Sequence, residues 1–185
     1  MKTLVTEIPN MRDFFKGRSM LRIGCPWLTF GAIMTLERIV NKKMKVLELG
    51  GGGSTVFFSN NCQSVKTFET NKVWADMLKE KLAWINNVDI IWTENEAGSV
   101  EAIKKEIDIL YDIILIDSGF TGNHVNPNRR LLFETALPKL KQGGFIIIDN
   151  YQHYGMRHFD YKGFEVYTYD EIGYSGRGTK ICQKL

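Results

Sequence analysis

Four acidic residues stand at or near the ends of short apolar runs, where they could meet a ligand: Glu48, Glu69, Asp117 and Asp149. Glu48 is followed by Gly50-Gly51-Gly52-Gly53-Ser54-Thr55. Glycines are needed where backbone approaches a ligand or takes a positive φ. A helix beginning at Ser54 would present its free N–H groups at the same spot. Four consecutive glycines carry an entropic cost, which favours a binding loop over an empty turn. The dinucleotide pattern G-x-G-x-x-G fails here. Its last position is Thr55 counted from Gly50 and Val56 counted from Gly51. There is no Gly-Lys-Ser/Thr of a P-loop either. What remains is Glu48-x-Gly50-x-Gly52, where a carboxylate would repel a pyrophosphate and attract an ammonium group.

Asp117, Asp149 and Asn150 form a second constellation. Three oxygen donors converging at two strand ends are expected to be able to hold Mg2+ or Ca2+. Without a metal, Asp117 could act as an acceptor or base. His124 and His153 fall in the loops after these two strands, where either could be a general base. Tyr151 and Tyr154 could shape the same pocket. Arg129 and Arg130 could clamp an acidic substrate or lie on a helix surface. Trp74 sits on an apolar helical face and reads as core.

These residues need elements to hold them. From Pro26 onward the chain alternates between helical and strand patterns. Pro26 suits a first helical position, and Ile33, Leu36 and Val40 follow at helical spacing. Strands are expected at 44–49, 65–69, 88–93, 110–117 and 145–149. Helices are expected at 54–60, from Asn71 through Ile85, at 99–107 and from Pro127 to about Leu140. Several strands are continuous apolar runs, the signature of a parallel sheet buried on both faces. Two further strands at 164–169 and 179–184 have no helix between them and suggest an edge hairpin. The expected fold is α/β: a doubly wound, mostly parallel seven-stranded sheet with one antiparallel strand near an edge. Residues 1–25 read as an N-terminal arm with a short helix near 11–16, and 26–185 as one domain.

Glu48-Leu49-Gly50-Gly51-Gly52 resembles motif I of the class I S-adenosylmethionine-dependent methyltransferases. Phe68-Glu69-Thr70-Asn71 resembles the end of that family's second strand, and Glu94-Asn95-Glu96-Ala97 the acidic segment after its third. Tyr111–Asp117 and Lys141–Asp149 resemble the fourth and fifth strand motifs. The likeness covers about residues 26–185. It implies that S-adenosylmethionine is held by Glu48, Gly50, Gly52, Gly53, Ser54, Thr55, Glu69, Thr70, Glu96 and Asp117, with Glu69 on the ribose and Glu96 near the adenine. It implies catalytic roles for Asp117, His124 and His153, and metal assistance through Asp117, Asp149 and Asn150. Pro26-Trp27-Leu28-Thr29 and Gly52-Gly53-Ser54-Thr55 also resemble a group of small, mostly uncharacterised methyltransferases.

The expected activity is methyl transfer to oxygen or nitrogen of a small-molecule acceptor. The alternatives are a non-catalytic methyltransferase-like binding domain and a related sulfonium-using transferase such as an aminopropyl transferase. Nucleic-acid base methylation is disfavoured, because Asp117-Ser118-Gly119-Phe120 lacks the Asn/Asp-Pro-Pro-aromatic pattern and no cysteine is near. The chain of 185 residues is 44% hydrophobic and 24% charged with a net charge of +3, an ordinary globular balance. No apolar run approaches a membrane span, and the N-terminal residues show no signal-like apolar stretch. Cys25, Cys62 and Cys182 are too scattered for a disulfide framework. A cytoplasmic protein is expected, with the arm capping the pocket or supporting a homodimer.

Overall fold

The computed structural model describes residues 17–118, 128–152, 156, 158–170 and 178–185. Helices α1 (Gly17–Ile23) and α2 (Phe30–Ile39) precede strand β1 (Lys45–Leu49). Then come α3 (Gly53–Asn61), β2 (Ser64–Glu69), α4 (Lys72–Lys81), β3 (Val88–Trp92), α5 (Glu96–Lys104) and β4 (Tyr111–Ile116). Helix α6 (Asn128–Ala136) runs through a single 3-10 turn, Leu137–Lys139, into β5 (Leu140–Asp149). Strands β6 (Phe164–Tyr169) and β7 (Thr179–Lys184) complete a seven-stranded sheet in the order β3-β2-β1-β4-β5-β7-β6. Strands β1 to β5 are parallel to one another, and β7 runs antiparallel between β5 and β6. This is the expected α/β architecture with its one antiparallel strand.

The apolar runs are continuous because the sheet is covered twice. Leu47, Leu49, Ile114, Ile116, Ile146 and Ile148 pack on one face with Ile103 of α5 and Leu132 and Phe133 of α6. Their strand neighbours Val46, Ile113, Leu115 and Ile147 pack on the other with Leu36 of α2 and Phe57 and Phe58 of α3. Successive side chains alternate between faces, so burying both requires apolar residues at every position. Glu48 interrupts that rule inside a strand that is buried from Val46 to Leu49.

Several boundaries differ from expectation; the helices expected to reach Ile85 and residue 107 end at Lys81 and Lys104. Helix α2 begins at Phe30, not at Pro26, because Leu28 is buried in the core and the Thr29 N–H is drawn to Thr179 Oγ1 at 3.3 Å. Helix α5 starts at Glu96, three residues early, because the Asn95 side chain caps it by accepting the Gly98 N–H at 3.0 Å. Strand β5 begins at Leu140, and its pairing with β4 shifts register between Tyr111 and Ile113. The stretch 17–25, expected to be part of an arm, contains α1. Leu21 packs there against Leu78 and Leu82 of the α4 region, and Met20 is buried. The helix expected near 11–16 lies outside the described residues.

Because β1 pairs with β2 on one side and β4 on the other, the chain leaves those two strands in opposite directions. In open α/β sheets such a switch point opens a crevice at the carboxyl ends of the strands. The candidate residues gather there.

Candidate functional site

Each glycine of the loop has its own reason to be glycine. Gly50 takes φ +90°, and a Cβ there would lie 2.8 Å from the Ser118 backbone nitrogen, so the loops after β1 and β4 touch. A Cβ on Gly51 would strike Leu78 and Thr67. A Cβ on Gly53 would lie 2.0 Å from the Cys25 carbonyl oxygen and 2.6 Å from that of Met20. Those carbonyls end helix α1, where the Gly24 and Cys25 N–H groups both bond to Met20 O. Gly53, expected among the binding glycines, thus has a packing reason to be glycine. At Gly52 nothing lies within 4 Å of an added Cβ. Among the described residues, Gly52 alone of the four has no atom standing over it.

Beneath the loop lies Glu48, with 0% of its surface exposed. Its Oε2 accepts the Thr55 hydroxyl at 2.6 Å and the Thr67 hydroxyl at 2.7 Å. Thr67 stands opposite Glu48 in the β1–β2 pairing, which places both side chains on one face. Thr55 Oγ1 in turn accepts the Gly52 N–H at 2.9 Å, so the carboxylate, the hydroxyl and the loop backbone form one chain. Oε1 of Glu48 is buried and has no hydrogen-bond partner among the described residues. Burial pushes the carboxyl up to about 7, and the hydroxyls of Ser54, Thr55 and Thr67 offset only part of that rise.

Glu69 ends β2 and grips the same loop. Its Oε2 accepts the Gly51 N–H at 2.8 Å and its Oε1 the Asn71 N–H at 2.7 Å. Desolvation still outweighs these donors and raises the carboxyl above its ordinary range. Trp74, which reads as core, donates its indole N–H to the Gly51 carbonyl at 2.6 Å. That role is invisible in an apolar helical pattern. Thr70 is half-buried, and its carbonyl accepts the Trp92 indole N–H at 3.2 Å. Glu96 is half-buried in the first turn of α5.

The second constellation surrounds a buried arginine. Arg129, on α6, is 1% exposed. Its Nε donates to Ser118 O at 3.0 Å, one Nη donates to Asp149 O, and the other lies 3.9 Å from Asp117 Oδ1. It thereby joins the ends of β4 and β5. Arg130 instead faces out and pairs with Glu134 at 2.8 Å. Asp149 is buried, and its Oδ1 accepts the Thr179 hydroxyl at 2.8 Å, a cross-strand pair like Glu48 and Thr67. Asp117 keeps 29% of its side chain exposed, so it lines a crevice rather than a closed core. Desolvation raises both aspartic carboxyls; the Arg129 charge opposes this in each, and their mutual repulsion adds to the rise at Asp149.

The expected Mg2+ or Ca2+ ligands Asp117, Asp149 and Asn150 do not fit that role. The guanidinium of Arg129 already supplies positive charge beside Asp117, Asp149 Oδ1 is held by Thr179, and the Asn150 amide nitrogen is buried without a partner. Among the described residues no three or more His, Cys, Asp or Glu side chains gather as a metal site. His124, His153 and Tyr154 lie outside the described residues. Tyr151 is buried and donates to Asp170 Oδ1 at 2.7 Å.

Four buried side-chain atoms lack a partner among the described residues: Thr29 Oγ1, Glu48 Oε1, Ser118 Oγ and the Asn150 amide nitrogen. Unpaired buried polar atoms are costly and call for an explanation. Glu48, Ser118 and Asn150 lie at the carboxyl ends of β1, β4 and β5, and Thr29 joins them through Thr179 and Asp149. The other end of the sheet contrasts with this. A cavity of about 300 Å3 there is lined by Lys45, Lys66, Asn87, Asp89, Ile109 and Tyr111. Its Lys66 pairs with Glu106 at 2.7 Å and Asp89 at 3.8 Å, and Asn87 is bonded to two backbone carbonyls. That cavity has size but none of the unpaired buried side-chain atoms, which among the described residues gather at the carboxyl ends.

The fold is shared with solved methyltransferase structures. The O-methyltransferase from Bacillus cereus in complex with SAH is 19% identical with a TM-score of 0.68, the match covering 97% of this chain and 94% of that one. TomG from Streptomyces achromogenes, an O-methyltransferase involved in tomaymycin synthesis and bound to SAM, is 16% identical with a TM-score of 0.67, over 97% and 92% of the two chains. An rRNA methylase from Streptococcus thermophilus is 16% identical with a TM-score of 0.62, over 83% and 96%. No protein-family model matches the chain, and no curated protein matches it. At these identities the likeness is one of fold.

Proposed function

We propose that this protein is an S-adenosylmethionine-dependent methyltransferase acting on oxygen or nitrogen of a small-molecule acceptor. The observation that carries the reading is the orphaned Glu48 Oε1 beneath the open face of Gly52, in a fold whose solved examples bind SAM and SAH. When bound, the cofactor supplies a methyl carbon attached to a sulfonium, already a good leaving group. The chain's main task is then orientation.

The residues present fit that cofactor. The Glu48 carboxylate, once ionised, offers charge to an ammonium group, directly or through the loop it supports. Gly52 leaves room for close approach, and the N-terminus of α3 supplies backbone donors. Glu69 keeps a free lone pair on each oxygen beyond its bonds to Gly51 and Asn71, enough to accept ribose hydroxyls. Under this reading Glu96, in the first turn of α5, flanks the adenine. Asp117, partly exposed in the crevice, accepts a hydrogen bond or proton from the acceptor, and its raised affinity for protons suits a base working near neutral pH. His124 and His153 stay candidates for the same task. The structural neighbours include O-methyltransferases and an rRNA methylase, so the acceptor rests on assay and not on the likeness of fold.

Calorimetric titration with SAM and SAH, with NAD as control, tests the reading. Selective binding in the micromolar range is expected. A folded protein that binds neither sulfonium compound nor SAH would overturn it. A methyl-transfer screen should follow with phenols, amines and ribosomal RNA, and label appearing only in RNA would replace the small-molecule acceptor.

A further inference from the structure

We infer that Arg129 is a positioning residue of the acceptor end, occupying with its guanidinium the place beside Asp117 and Asp149 that a divalent cation would otherwise take. Three observations carry this. Arg129 is buried, yet it projects from α6 to the ends of two strands of the sheet. Two of its donors go to backbone carbonyls, Ser118 O and Asp149 O, which fixes the plane of the fork. Its other Nη lies 3.9 Å from Asp117 Oδ1, within ion-pair distance. Asp117 and Asp149 follow the paired residues Ile116 and Ile148 at the ends of neighbouring strands, near enough that the charge of Asp117 acts on Asp149.

Two adjacent acids in a desolvated crevice need a counter-charge. A guanidinium provides it in a fixed, planar geometry and is always charged. A metal ion there would have to displace the guanidinium or be repelled by it. The consequence for function, which rests on the methyltransferase reading, is that Asp117 is aimed at the acceptor by a side chain of this chain and not by coordination. Asp117 keeps 29% of its side chain exposed, so its carboxylate can meet an acceptor hydroxyl or amine.

Mn2+ binding followed by electron paramagnetic resonance tests the assignment in wild type, Arg129→Gln, Arg129→Lys, Asp117→Asn and the Arg129→Gln/Asp117→Asn pair. Arg129→Gln is expected to take up one Mn2+ at least about tenfold more tightly than wild type. The double variant should lose that gain, and Arg129→Lys, which keeps the charge, should stay close to wild type. Wild-type binding of one Mn2+ that Asp117→Asn abolishes would overturn the inference, as would a folded Arg129→Gln that gains nothing. If Arg129→Gln fails to fold, the comparison of wild type, Arg129→Lys and Asp117→Asn decides. SAM titration of the same proteins separates the two readings: failure of wild type to bind SAM removes the methyltransferase function and leaves the Mn2+ result standing.

Discussion

A carboxylate sealed from water keeps its charge only when enough donors reach it. Two hydroxyls reach Oε2 of Glu48 and none is bonded to Oε1, so the group holds its proton up to about pH 7. The unfolded chain releases that proton near the ordinary value of 4.5. Between these limits the native state binds the extra proton, so stability is highest at the acid end and declines as pH rises from about 4.5 toward 7. A shift of that size corresponds to at most about 3 kcal/mol. Glu48→Gln keeps an acceptor for both hydroxyls and cannot titrate, so its urea midpoint should fall less than that of wild type between pH 5 and 7.5. Parallel profiles for the two proteins would show that Glu48 is ionised throughout. Under the proposed function the ionised form is the one that serves the cofactor, so SAM affinity should strengthen through the same window and Glu48→Gln should abolish that trend.

At the scale of elements, the proposed function divides the glycines of the β1–α3 turn between fold and ligand. Gly53→Ala drives a methyl into the Cys25 carbonyl and should lower stability by about 3 kcal/mol. Gly52→Ala meets no atom and should change stability by less than about 1 kcal/mol while weakening SAH binding at least about tenfold. Denaturant unfolding and calorimetry of the two variants check the division, and a Gly52→Ala protein that binds SAH normally would place the ligand elsewhere. The existence and order of the elements were legible in the sequence because apolar runs and helical spacing report burial directly. So was the loop, because consecutive glycines have few other uses. The division of labour within it was not, since it depends on the end of α1, brought up from a stretch with no periodic pattern. Arg129 and Trp74 were hidden for a similar reason: arginine suits a surface and tryptophan a core, and only the tertiary structure turns them onto backbone carbonyls. The start of α2 was misplaced because Pro26 is a generic signal, while Thr29 is held by a threonine 150 residues away.

For the molecule as a whole, helix α1 ties the beginning of the described chain to the site. Leu21 sits against Leu78 and Leu82, and Met20 and Cys25 close over Gly53. Leu21→Ala should cost about 2–4 kcal/mol, a fall in melting temperature of several degrees for a domain of this size. It should also loosen the glycine loop, so SAH affinity should drop with it. A thermal midpoint unchanged by Leu21→Ala would return residues 17–25 to the role of a detachable arm. Among the described residues no helix is long and apolar enough to cross a membrane.

The four unpaired atoms, three at the carboxyl ends of strands and Thr29 linked to them through Thr179, also bear on engineering. Thr29→Val is nearly isosteric and removes an orphaned hydroxyl, so it should raise the melting temperature by a few degrees. A laboratory search for heat resistance would find such substitutions early, because natural chains seldom sit at their stability optimum. Here the positions that yield thermal gain at the expense of recognition would cluster at one end of one sheet. A blind thermostability screen, read for lost ligand response, would therefore draw the outline of the binding surface before any acceptor was known.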